Sequence, residues 1–302
     1  MLSRFQFSRS WPSGAAFPGS GIAIVFRRQM RCRQPLHDLA RMGMLLLVHQ
    51  SLAFWFLSMR MPLSEYSGDT ARYLFRWLSM AAVSASLVYL PCAAFLGAMA
   101  VPPISRFEET QSMLLTRLAP YDVCAGRLFA WLWPVISALL ASCALSLTVQ
   151  VVRRPVMPDG AGGYAAIVIM HAALLTGACL IAAVGFLAAT RRRPGRVWTR
   201  GALVATVTAV IAVFGLTLAD SLLKRLEDPT GLIYALLLVN PAVAAATPLQ
   251  VDTLRLQWVY ERTTAHEYPF LYPPPLASCA LFVGGTVGAL ALASVRLRRA
   301  YR

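Results

Sequence analysis

Two histidines, His49 and His171, stand inside long apolar stretches, where an ionisable side chain is a functional candidate by default. An imidazole in such a place either relays protons or hydrogen-bonds between helices. A relay needs acids close by, and these stretches carry none away from their ends, so both are read as neutral histidines bonding between helices. The other two histidines, His37 and His266, are scattered, and no metal-ligand spacing links the four. Phosphate chemistry is excluded in its usual form. A GxxxxGK[ST] loop needs a lysine on the β/γ phosphates, and the single lysine, Lys224, is preceded by leucine and followed by Arg225. HExxH, CxxC and GxSxG are also absent. Six cysteines give no framework: Cys92, Cys143, Cys179 and Cys279 lie in apolar stretches and Cys32 and Cys124 in basic segments, so no disulfide is expected.

The residues with the most specific pattern suit docking rather than catalysis. Segment 106–128 reads RFEETQSMLLTRLAPYDVCAGRL. It opens on the acids Glu108 and Glu109 and continues into an apolar patch of Met113, Leu114, Leu115 and Leu118. A turn at Ala119-Pro120 follows, then a helix opened by Asp122, whose carboxylate favours the N-terminal end of the helix dipole. A short amphipathic helix of this kind is a docking knob for a soluble partner. Two further features concern packing. Gly284 and Gly288 have small-xxx-small spacing, with Gly285, Ala289 and Ala293 on the adjoining stripe, and serve either packing within the chain or a dimer seam. Asn240-Pro241 interrupts an uncharged run between Asp228 and Asp252.

The elements that must position these residues are apolar helices. Hydrophobic residues make up 58% of the 302 and charged residues 14%, against roughly 25% charged in a soluble protein. The apolar residues fall in runs near the ~20 needed to cross a bilayer. Six spans are expected, at 42–59, 77–101, 128–152, 164–189, 201–219 and 277–295. They are helical, because a lipid-exposed segment cannot leave its backbone unpaired. Basic residues alternate by side. The segments before span one, between spans two and three, after span four and at the C-terminus hold 19 Lys and Arg with four acids. The other three hold nine of each, so the whole net charge of +15 lies on one face. The positive-inside rule makes that face cytoplasmic, with both termini inside. Arginines crowded beside apolar runs fit a membrane better than a nucleic-acid groove.

The expected organisation is a disordered tail at 1–20 without a signal peptide, an amphipathic basic connecting segment at 21–41, and a six-span domain at 42–302 with an outer loop at 220–276. In the connecting segment, Ile22, Val25, Phe26 and Met30 alternate with Arg27, Arg28, Arg31 and Arg33. This pattern reads as a helix lying on the inner leaflet, with arginines suited to anionic lipid headgroups or to topology signalling alone. The outer loop ends in Trp258, Tyr260, Tyr268, Phe270 and Tyr272, an interfacial belt or a lid. The run around Asn240-Pro241 reads as a re-entrant or interfacial hairpin on the outer side in preference to a seventh span, which would carry the C-terminal arginines outside.

Segment 106–128 resembles the loop between spans two and three of ABC-2 type ABC transporter permeases, E-x-GTLE-LLL-TPLSP-x-E-I-x-x-GK-L. Thr110, Leu114, Leu115, Thr116, Leu118, Pro120, Asp122, Val123, Gly126, Arg127 and Leu128 stand at matching positions. Glu109, Ser112, Arg117 and Ala119 depart from the pattern, and the acid missing at Ser112 removes one ionic contact, for which Glu108 or Glu109 could substitute. Thr190-Arg191-Arg192-Arg193 after span four and Asn240-Pro241 before the last span are weaker echoes. The resemblance implies a multi-pass subunit of the inner (plasma) membrane with a coupling helix in 106–128. Leu114, Leu115 and Leu118 would enter a groove on a separate ABC ATPase subunit, oriented by Glu108, Glu109, Asp122 and Arg127. ATP would bind that partner and no cofactor this chain. A second copy or a related permease would complete an export channel in contact with membrane lipids, and no nucleic acid is expected as partner. The alternative is a non-transporting membrane anchor or assembly factor. An ion-coupled carrier lacks buried acids here, and a membrane enzyme lacks a catalytic constellation.

Overall fold

A computed structural model describes residues 20–31, 35–60, 70–101, 118–153, 163–190, 199–211, 225, 230–249 and 273–300. All regular structure among them is helical. A short amphipathic helix α1 (Ser20–Arg31) precedes α2 (Pro35–Arg60), α3 (Thr70–Met99), α4 (Pro120–Arg153) and α5 (Tyr164–Ala189). Then come α6 (Thr199–Ile211), α7 (Thr230–Val239), α8 (Pro241–Ala246) with a 3-10 turn at Thr247–Leu249, and α9 (Pro275–Ala300).

Five helices, α2, α3, α4, α5 and α9, are long and apolar enough to cross a membrane, which is the architecture of a multi-pass membrane protein. The span expected at 201–219 is described only as far as Ile211, within the short apolar α6. The expected tail, the segment after α6 and the aromatic stretch 258–272 lie outside the described residues.

Helix α5 is the axis of the bundle. It is the most apolar span, with a mean hydropathy of 2.4, and packs against α3, α4, α8 and α9. Hydrophobicity around its whole circumference suits a helix with protein on one side and lipid on the other: half of its apolar window is buried, while Val168 and Val184 are exposed. Helix α2 is the opposite case: only 17% of its apolar window is buried, and Met44, Leu47, Phe54 and Trp55 face outward.

Small residues set the closest approach. A Cβ on Gly97 of α3 would run into the Ala182 carbonyl oxygen of α5, and one on Gly185 into the Ala94 carbonyl oxygen. Backbones meet there because no side chain separates them. Without a hydrophobic driving force between helices in lipid, such van der Waals contact is what holds the pair.

The contacts also bring the basic ends together. Arg127 near the start of α4 donates from Nε to the Ala100 carbonyl just past α3, at 3.2 Å. A Cβ on Gly201, early in α6, would lie 2.9 Å from the Ala98 side chain. Arg296 Nη1, late in α9, stands 3.5 Å from the Leu187 carbonyl near the end of α5. Helix α1 runs along the first turns of α4. The arginines flanking these ends, among them Arg27, Arg28, Arg31, Arg41, Arg298 and Arg299, therefore share one end of the molecule, and these six are exposed.

Candidate functional site

The expected docking segment is described from Leu118 onward; Glu108, Glu109, Thr110, Leu114, Leu115 and Thr116 lie outside the described residues. Pro120 begins α4 in the first helical turn, where its missing N–H costs nothing. Asp122 sits in the same turn, as its charge favours. From there the helix continues without a break to Arg153. The stretch 120–128 is thus the foot of a long helix and not a separate short one.

Helix α1 covers that foot. A Cβ on Gly21 would collide with the Asp122 carboxylate, and one on Gly126 would lie 2.7 Å from Val25 Cβ and 2.9 Å from the Ile22 carbonyl. Val25 and Val123 are buried together, with Leu118 packed against them. Further along, the Phe26 ring meets Trp133 edge-on, centroids 5.8 Å apart.

Three expectations change as a result. Gly126 is where α1 approaches, so it does not face a partner. Arg127 is 5% exposed and engaged with the end of α3, so it cannot orient a docked protein. An arginine there satisfies a carbonyl that the last turn of α3 leaves without an intrahelical donor. The apolar side of α1 does not rest on lipid alone: Val25 is 1% exposed against α4. The 3–4 spacing of Ile22, Val25, Phe26 and Met30 announced an apolar face, but nothing in that spacing named α4 as its cover.

At Asn240-Pro241 the chain breaks as its residue types demand. Asn240 Oδ1 accepts from Ala242 N at 3.0 Å and Val243 N at 3.4 Å, capping α8, and Pro241 takes its first position. The two limbs, Gly231–Val239 and Pro241–Leu249, bend by 77°. Pro241 rests on Gly177, where a Cβ would lie 2.8 Å from its ring. Gly177 is 13 residues past Tyr164 and 12 before Ala189, so the break stands level with the middle of α5.

The two adjoining stripes of α9 differ among the described residues. No described atom lies within 4 Å of a Cβ built on Gly284 or Gly288, and both are exposed. The packing side is the adjoining one. Gly285 admits Leu180 at 2.8 Å, and Ala289 and Ala293 are buried.

Both intramembrane histidines bond between helices. His49 Nε2 donates to the Ala81 carbonyl at 3.0 Å, leaving Nδ1 to accept from Tyr89 Oη at 3.1 Å and from Gln50 Nε2 at 3.3 Å. His171 Nδ1 donates to the Ile167 carbonyl at 2.9 Å, and Nε2 accepts from Ser142 Oγ at 3.4 Å. One donor and one acceptor per ring is the pattern of neutral imidazole. These pairs join α2 to α3 and α4 to α5. Tyr89 and Ser142 were not singled out in the sequence, because Tyr and Ser recur through the apolar runs without a distinguishing pattern. Among the described residues the only acids are Asp38 and Asp122, both at the basic end, and no group of three or more His, Cys, Asp or Glu forms a metal site.

Compared with protein-family models, curated proteins and solved structures, the chain matches none of them.

Proposed function

We propose that this chain is the membrane-spanning permease subunit of an ATP-driven exporter of the ABC-2 type, coupled through segment 106–128 to a separate ATPase. The observation that carries the proposal is the seating of α1 along the first turns of α4. It braces the helix that the docking segment leads into, so that a force on the segment is delivered to the bundle. Three further features support it: the residue pattern of 106–128, the bent pair at Asn240 ahead of the last long helix, and the gathering of arginines at one end. By the positive-inside rule that end is cytoplasmic, so in this reading the docking segment faces the ATPase, and the plasma membrane is the location the resemblance implies.

In this scheme Leu114 and Leu115 insert into a groove on the ATPase, with Glu108 and Glu109 orienting it. Leu118, Gly126 and Arg127 act behind them, holding the foot of α4 to α1 and α3. ATP binds and is hydrolysed on the partner. ATP-driven closure of two ATPases pushes the paired segments of two permease copies, and the cavity between the copies turns outward. The Asn240-Pro241 hairpin enters from the outer side and stands beside that cavity.

The test is affinity purification of the tagged chain from detergent-solubilised native membranes. An ATPase with a phosphate-binding loop should co-purify with the wild-type chain, and Leu115→Asp should abolish the association while membrane insertion is retained. Undiminished co-purification with Leu115→Asp, or no ATPase at all, overturns the proposal. An ATPase whose hydrolysis is unchanged by the chain in liposomes would mark an anchor instead.

A further inference from the structure

We propose that the crevice enclosed by α1, α2 and α4 holds an acyl chain of an anionic phospholipid, with its phosphate on the exposed arginines of α1 and α2, two of the helices that wall it. The cavity measures about 190 Å³. Its walls are apolar: Met30 from α1, Leu39 and Met42 from α2, Trp133 and Pro134 from α4. That volume suits a stretch of hydrocarbon and not a whole lipid. Leu39 and Trp133 are 58% and 39% exposed, so the crevice opens sideways from the bundle.

Two observations fix the depth and the charge. Trp133 is half in the wall and half out, with Phe26 at its edge, and tryptophan prefers the level where headgroups meet acyl chains. Arg27, Arg28 and Arg31 on α1 and Arg41 on α2 are all exposed. The cavity also carries Ser137 and Asp38. Asp38 stands 3.5 Å from Arg41, and its one negative charge is fewer than the four positive charges of these arginines. Basic pockets between helices on the positive face are where anionic headgroups bind. Arginines serving only to orient the chain would need no adjoining apolar cavity. The site depends on the chain lying in a membrane and is independent of the exporter mechanism.

The test uses the full chain, purified and delipidated in an uncharged detergent. Native mass spectrometry would titrate it with dioleoyl phosphatidylglycerol, dioleoyl phosphatidylcholine and a single-chain quaternary ammonium amphiphile. Phosphatidylglycerol should bind at one site, roughly tenfold or more tighter than phosphatidylcholine. Met42→Trp, which fills the cavity and leaves the charge, should remove that site; if it does not fold, Ser137→Leu fills the cavity from α4. The combined Arg27→Gln, Arg28→Gln and Arg31→Gln variant should lose the preference for phosphatidylglycerol. Arg298→Gln with Arg299→Gln, on α9 at the same end, should keep it. Equal binding of the two phospholipids overturns the proposal, as does undiminished binding by the filled variants. An α9 variant as weak as the α1 variant would mean general surface charge. Preference for the ammonium amphiphile would make Asp38 the recognising group and also overturn it.

Discussion

Arg127 shows how much one residue's environment can reverse its reading. In the sequence it is a cation in a basic segment, suited to gripping a partner. In the structure it is buried, and its guanidinium serves a carbonyl at the end of the preceding long helix. Hydrogen bonds from charged donors contribute about 1.5–3 kcal/mol, and removing the donor leaves the buried carbonyl without it. Arg127→Met should therefore lower stability by roughly 2 kcal/mol, read as a shift in thermal unfolding in detergent, with Arg127→Lys intermediate because a lysine is a point donor without the guanidinium fork. A role at the partner surface alone would leave unfolding unchanged. The histidines were legible in a way Arg127 was not. An imidazole with no acid nearby has few options in an apolar span, and bonding between helices is the one observed.

At the scale of elements, local chemistry could be read from the sequence and partnership could not. Asn240-Pro241 breaks the helix because an asparagine cap and a proline at the first position act on their own neighbours. Gly284 and Gly288 have the spacing for close packing, but spacing says only that a partner could approach. The approach occurs at Gly97 and Gly185, each set against an alanine of the facing helix, where no repeated glycine motif flags the contact. Substitution tests this directly. Gly97→Val puts branched carbon against the Ala182 backbone, and overpacking costs typically 1–3 kcal/mol, so a loss of about 3 kcal/mol or failure to fold is expected. Gly284→Val meets open space and should leave unfolding of the single chain within about 0.5 kcal/mol. Equal losses from both would show that α9 packs on its glycine face.

For the whole molecule, the alternation of arginines was the most legible feature. Successive spans reverse direction, so segments that alternate in charge must collect at opposite ends. The described contacts bring the arginine-flanked ends of α3, α4, α5, α6 and α9 together. Which side of the membrane that end occupies follows from the charge rule, and labelling would check it. In a chain whose native cysteines are replaced by serine, Ser112→Cys should resist a membrane-impermeant maleimide added to intact cells, and Ala161→Cys should react. Labelling at position 112 would reverse the orientation. The bond from Arg127 to Ala100 also has a mechanical corollary for α3 and α4. Their ends on the basic side are pinned to each other, so a displacement of one foot is carried into the other.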